Sequence, residues 1–286
     1  MNARLQRLVD FLQFAEEIFV CDVGASLIAE TPVYSDLVKE YPAARLYAFD
    51  GDERHIAGLR ERYGDKASVI NRFLYDGSEQ TAYICDERSG MTSLLKPDEK
   101  ALSFFNGFSR FGEVISTEAV STTRLDDVEE VDRIHFLKMD IQGAELTVLA
   151  NGAEKLRDCI AIQLEVSHIC LYEDQPTFGD IDRWMRSAGY APHCFLRTKR
   201  WSISPLTREG DIRKPFNQLL ESDIVYIRDP IVLDRYTDSQ LKLQALFATL
   251  CFNSPDLAVH CIGALADRGC LPADAAAGYL EAMKKT

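Results

Sequence analysis

Four short apolar runs in this chain each end in an acid: Ile18-Phe19-Val20-Cys21-Asp22, Leu46-Tyr47-Ala48-Phe49-Asp50, Phe136-Leu137-Lys138-Met139-Asp140 and Ala161-Ile162-Gln163-Leu164-Glu165. Near-continuous apolar runs of this length read as strands buried on both faces, as in a parallel sheet covered by helices. In an open α/β sheet the carboxyl ends of the strands form the crevice in which ligands bind. A buried acid without compensation costs on the order of several kcal/mol. Three core strands delivering Asp22, Asp140 and Glu165 to one edge therefore signal a site.

The turns after these runs carry the next information. Gly143 lets the backbone bend sharply after Asp140, and Glu145 falls in the first turn of a helix marked by Ala144, Val148 and Leu149. Gly24 follows Asp22; it either lets backbone pass close to a ligand or simply turns strand into loop. No second glycine completes a G-x-G, and residues 26–34 read as an insertion before a helix at 35–40. Asp50 sits where a carboxylate binds ribose hydroxyls in nucleotide-type sites, further from the glycine than the usual spacing of about 20 residues. Its other reading is a helix cap before a helix at 55–63.

Beyond the core strands, 68–74 reads as the third strand, Asp76-Gly77 as a turn and 81–85 as an edge strand. Phe104, Phe105, Phe108 and Phe111 suit a helix packed on the core or a lid over a substrate. A helix at 181–188 presents Ile181, Trp184 and Met185 inward and stops at Gly189. Segments 192–204 and 224–228 read as a terminal antiparallel pair. From Pro230 three helical patterns follow, split by prolines. The expected division is one α/β domain over 1–229 and a helical extension over 230–286, serving packing, dimerisation or docking of a protein partner.

Two stretches carry a family resemblance. Phe136-Leu137-Lys138-Met139-Asp140-Ile141-Gln142-Gly143-Ala144-Glu145 resembles the hallmark segment of the FkbM family of S-adenosylmethionine (SAM)-dependent methyltransferases, and Asp22-Val23-Gly24-Ala25-Ser26 resembles the first motif of class I methyltransferases. Phe49-Asp50, the small-Ser-Leu segment at 89–95 and the T-x-x-L-D-D pattern at 122–127 add to it, so that it spans 18–190. The resemblance implies a Rossmann-like class I fold: a mostly parallel seven-stranded sheet with a terminal antiparallel strand pair. It implies SAM as cofactor, contacted by Asp22, Gly24, Ala25, Ser26, Asp50, Gly51, Phe73 and Asp140. It also implies O-methylation of a sugar, glycan or polyketide-type hydroxyl.

Methyl transfer to a hydroxyl needs donor and acceptor held in line and a base for the proton. His168, Asp140 and Glu165 are the candidates, and His168 has the best-matched ordinary pKa. Asp140 has a further reading, as a cofactor contact or a ligand to a divalent ion, although no feature demands a metal. An NAD-dependent oxidoreductase shares the fold, but the expected G-x-G-x-x-G is absent after Gly24. A non-catalytic, degenerate methyltransferase fold is the second rival. A glycoside hydrolase, which needs a carboxylate pair at fixed separation, is the third.

The net charge of −13 opposes a nucleic-acid footprint, which needs clustered cations. Eight scattered cysteines form no C-x-x-C pair and read as reduced, small hydrophobes, giving the expectation of a cytoplasmic protein. Residues 1–17 read as an amphipathic helix with Leu5, Leu8, Val9 and Leu12 inward rather than as a signal peptide, and no run spans a bilayer.

Overall fold

The computed structural model describes residues 1–25 and 31–284. In chain order the elements are α1 (Ala3–Leu12), β1 (Ile18–Val23), α2 (Ser35–Glu40), β2 (Ala44–Phe49), α3 (Glu53–Tyr63), β3 (Ala67–Ile70), β4 (Phe73–Leu74), β5 (Glu79–Cys85), α4 (Glu99–Phe104), β6 (Val114–Thr123), β7 (Phe136–Met139), α5 (Glu145–Ala150), β8 (Ala161–Ser167), α6 (Phe178–Ser187), β9 (Tyr190–Arg200), β10 (Leu219–Arg228), α7 (Asp238–Leu250), α8 (Pro255–Asp267) and α9 (Ala275–Lys284).

Seven strands form one sheet in the order β3-β2-β1-β7-β8-β10-β9. From β3 to β8 every pairing is parallel, whereas β10 runs antiparallel to both β8 and β9. This is the expected Rossmann-like sheet, mostly parallel with a terminal antiparallel pair. The expected long third strand is broken: β2 ends at Phe49 opposite Ile70, so Phe73 and Leu74 lose that partner and pair instead with Thr122 and Thr123. The supposed edge strand at 81–85 also leaves the main sheet. It joins β4 and β6 in a separate three-stranded sheet, order β4-β6-β5.

Strand alternation divides the core into two layers. Ile18 and Val20 of β1, Phe136 of β7 and Ala161 of β8 face α1, α2 and α7. Cys21, Val23, Leu137, Met139 and Leu164 face the opposite layer, with Ile181 and Met185 of α6. The inward residues of α1 are the four its spacing selects, and the Asn2 side chain caps it by accepting from the Leu5 N–H at 2.9 Å. Helix α6 starts at Phe178, earlier than its apolar spacing suggests, because Thr177 and Asp180 form a capping box there. Trp184 is only partly buried at its edge.

The C-terminal helices share the main core. Phe136 meets Phe247 and Phe252 with ring centroids 5.5 and 5.8 Å apart, and Leu241, Leu246 and Phe247 are fully buried. Packing is thus the role the structure gives their apolar faces. Among the described residues no helix is long and apolar enough to cross a membrane, and all eight cysteines are free thiols.

Candidate functional site

The chain steps outward from β1 to β2 and β3, then returns to the other side of β1 with β7 and β8. Connections therefore diverge between β1 and β7, which opens a crevice at their carboxyl ends. A cavity of about 570 Å³ lies there. Its wall includes Gly24, Asp50, Gly51, Phe73, Asp140 and Glu165, all named from the sequence. Asp22, Ala25 and His168 do not line it, and Ser26 lies outside the described residues.

Register explains the position of Asp22. It pairs across the sheet with Lys138, and Lys138 with Gln163. Asp140 and Glu165 come two residues later on β7 and β8, one layer nearer the crevice. Asp22 is 2% exposed and receives hydrogen bonds from the Tyr34 hydroxyl and, at 3.1 Å, the Lys138 ammonium. Burial alone would lower the Lys138 pKa, but Asp22 and Asp140 outweigh it and the ammonium is held protonated. The expected cofactor contact at Asp22 is thus a buried ion pair under the cavity floor. Its effect is to hold Lys138, which does line the cavity.

Gly24 has a stricter reason to be glycine than its turn. Its φ is +77°, and a Cβ there would overlap the backbone carbonyl oxygen of Asp140. The tips of β1 and β7 touch at this point, so Gly24 fixes the height of Asp140. Ala25 is buried, and its N–H, like that of Gly24, donates to the Phe49 carbonyl. A Cβ at Gly51 would overlap the ring of Phe73. Asp50 accepts from the Asp52 N–H at 2.8 Å and contacts His55 Nδ1 at 2.7 Å. That bond raises the His55 pKa against the opposing effect of burial. Nε2 of His55 is buried in the same wall without a hydrogen bond, 3.9 Å from the Glu87 carboxylate.

The reactive-looking end is organised by a residue the sequence reading passed over. Gln142 has φ +59°, a costly conformation for a residue with a side chain. Four hydrogen bonds hold it there. The Ser93 hydroxyl donates to its carbonyl at 2.8 Å, and the Tyr172 hydroxyl donates to its Oε1 at 2.9 Å. With the amide so oriented, Nε2 donates to Asp140 Oδ1 at 2.8 Å and Glu165 Oε2 at 2.7 Å. One NH2 group thus bridges two carboxylates that would otherwise repel. Gln142 stands inside the most specific motif, between Asp140 and Gly143, which was its available signal.

Burial and the neighbouring carboxylates of Asp140, Glu221 and Asp223 raise the pKa of Glu165 well above the ordinary range. Asp223 is Glu165's register partner on β10, and Arg197 on β9 is Asp223's. Burial first, then Asp140, raises the pKa of Asp223 as well, against Lys138 and Arg197. Asp223 was missed because β10 begins at Leu219, five residues before the apolar run that announced it. Lys199 and Glu221 form an ion pair at the same rim.

His168 is not part of this group. Alternation along β8 puts it with Val166, on the face of α6 and opposite Glu165. Its ring lies 5.8 Å from that of Phe178, and its Nε2 is 2.8 Å from the Ser222 hydroxyl. Burial lowers its pKa. The extended strand carries His168 one residue past Ser167 and so to the wrong side of the sheet for the cavity. Among the described residues, no three His, Cys, Asp or Glu side chains are grouped so as to hold a metal ion.

Residues 23–192 match the Methyltransferase FkbM domain. Over 145 residues the chain is 30% identical to the 2-O-methyltransferase NoeI of Sinorhizobium fredii (strain NBRC 101917 / NGR234), covering 47% of this chain and 58% of that protein. The chain thus spans little more than half the length of that curated relative. Among solved structures, it is similar to magnesium protoporphyrin IX methyltransferase (ChlM) from Synechocystis PCC 6803 with bound SAM, with a TM-score of 0.37, 10% identity and coverage of 79% and 78% of the two chains. It is also similar to M. jannaschii TYW2 in complex with AdoMet, with a TM-score of 0.35, 12% identity and coverage of 80% and 78%. The matched domain takes in more than half of the chain, including the turns that carry Gly24, Asp50, Asp140 and Glu165, and on that ground this protein belongs to the FkbM methyltransferase family.

Proposed function

We propose that the chain is a SAM-dependent O-methyltransferase acting on a sugar or similar hydroxyl acceptor. The observation that carries this reading is one cavity joining two chemically different ends: Asp50 with Gly51 and Phe73 on one side, and the Asp140–Gln142–Glu165 cluster on the other. The first end suits a nucleoside, with a carboxylate for ribose hydroxyls, an aromatic ring and, on His55, a buried nitrogen that makes no hydrogen bond. The second end suits a cationic reacting centre. Its acids Asp140, Glu165 and Asp223 face cations of which Lys138 is already engaged by Asp22. The chemistry of the residues therefore fits SAM. When bound, the cofactor supplies an electrophilic methyl group and leaves as S-adenosylhomocysteine.

Glu165 is the proposed base. Its raised pKa makes it the better proton acceptor once ionised. Held at the Asp50, Gly51 and Phe73 end, SAM would supply the methyl group, and Glu165 would take the proton of the acceptor hydroxyl. Gln142 holds Glu165 and Asp140 at fixed orientation, so little rearrangement precedes the step. That the relative NoeI is a 2-O-methyltransferase supports a hydroxyl as acceptor.

Isothermal titration of the purified chain with S-adenosylhomocysteine, alongside NAD, tests the cofactor. Micromolar binding of the former alone, weakened at least tenfold by Asp50→Ala, is the expected result. Binding of NAD instead, or of neither, overturns the reading.

A further inference from the structure

The segment that joins β9 to β10 differs in charge from the rest of the chain. Residues 197–214 hold six of the 32 Lys and Arg but only two of the 45 Asp and Glu, in a chain of net charge −13. Arg200, Arg208, Arg213 and Lys214 are exposed. Among them stand large apolar side chains that water reaches: Leu206 is 62% exposed, Phe195 50% and Ile203 43%. Ile203 and Leu206 wall a groove of about 720 Å³ together with Phe216 and His168. The ring of Phe195 lies 6.5 Å from that of His168, and the Arg208 guanidinium covers the ring of Phe216 at 4.6 Å. Cationic and apolar groups thus share one surface.

That surface is braced from the segment after α4. The Asn106 side chain donates to the carbonyls of Ile203 and Leu206. The Ser204 N–H donates to the Phe104 carbonyl at 2.8 Å, and the Trp201 indole N–H to the Asn106 carbonyl at 2.8 Å. These bonds fix the backbone that carries the exposed side chains. A contiguous apolar patch held out in this way marks a contact surface.

The charges among the apolar groups say what it contacts. Protein interfaces exclude Lys and other charged residues from their apolar centres. Single-stranded nucleic acid stacks on open aromatic faces, whereas aliphatic Ile203 and Leu206 offer none and Arg208 covers Phe216. A bilayer with anionic headgroups uses both kinds of group: aliphatic tips enter the acyl boundary and cations stay at the phosphates. The net charge of −13 does not oppose this contact, because at about 0.1 M salt only charges within ~10 Å of the headgroups act strongly.

We propose that the β9–β10 loop docks this protein on an anionic lipid surface, with Ile203 and Leu206 entering it and Arg208, Arg213 and Lys214 at the headgroups. The loop leaves β9 beside Lys199 and Trp201, which line the cavity. Docking therefore brings that rim of the cavity to the lipid.

The test is sedimentation of the full chain with vesicles of phosphatidylcholine, alone or with about one-third phosphatidylglycerol. Wild type binds the anionic vesicles at least tenfold more tightly at about 0.1 M NaCl, and raising the salt to about 0.5 M releases most of it. Arg213→Glu combined with Lys214→Glu weakens that binding at least about thirtyfold. Ile203→Ser combined with Leu206→Ser weakens it about tenfold. Circular dichroism confirms that each variant is folded, and either one alone suffices for the comparison. Wild type that stays in the supernatant with both vesicle types, or binds both equally, overturns the proposal. A folded variant of either kind that sediments as wild type does also overturns it. So does a single-stranded oligonucleotide that binds where the anionic vesicles do not.

Discussion

Replacing Glu145 with Gln should make the protein more stable, and more so as the pH rises. Glu145 is 3% exposed, and its Oε1 accepts the N–H groups of Ile141 at 3.0 Å and Gly143 at 3.2 Å. It thus pins the turn that carries Gln142. Burial raises its pKa from the ordinary 4.5 to about 7, although the two backbone donors pull the other way. A carboxyl raised in the folded state favours folding while protonated. That contribution is complete below pH 4.5, fades as the pH climbs to about 7 and is constant above. At its limit the loss is about 3 kcal/mol. A glutamine oxygen can accept the same two N–H groups and never ionises. The stability advantage of Glu145→Gln should therefore be small near pH 4.5 and grow by about 2 kcal/mol between pH 5 and pH 8. Urea denaturation of both proteins at those two pH values measures it, with the slope checked for two-state behaviour. An advantage that does not change with pH, or a variant less stable at pH 8, would refute the reasoning, because either means that Glu145 stays ionised throughout.

Three further outcomes follow from the same geometry. Lys138→Met strands Asp22 at 2% exposure, so a loss of about 3–5 kcal/mol is expected; the double variant with Asp22→Asn should recover most of it, and thermal melts that show simple additivity would remove the ion pair from the account. Gly24→Ala should cost about 3 kcal/mol or more, combining the positive φ with overlap on the Asp140 carbonyl; a melting temperature within 2 °C of wild type would contradict it. His168→Ala should leave the methylation rate within twofold, since His168 lies across the sheet from Glu165, whereas Gln142→Leu should lower it about a hundredfold at unchanged S-adenosylhomocysteine affinity. A steady-state assay in which His168→Ala is the more damaged of the two would reverse the assignment.

The local code settled the core strands β1, β2, β7 and β8, the principal helices and three of the acids at the crevice. Apolar runs ending in Asp50, Asp140 and Glu165 are buried strands because nothing else hides so many consecutive apolar residues, and their ends point to the crevice by the nature of a parallel sheet. The spacing of Leu5, Leu8, Val9 and Leu12 was likewise enough to set the inner face of α1. Register and side were not available in this way. Whether Asp22 stands level with Asp140 or one layer lower depends on how β1 slides against β7, and a strand carries no local mark of that offset. Period-two alternation puts His168 and Glu165 on opposite faces, but only the strand's continuation through Ser167 makes that alternation hold. The bridging role of Gln142 requires Ser93 and Tyr172, 49 and 30 residues away in the chain. Sequence by itself determined which residues are buried in strands and which acids end them. Only the tertiary structure decided which of those acids share a layer, because that depends on pairing between distant segments, where each contact is fixed by the whole sheet at once.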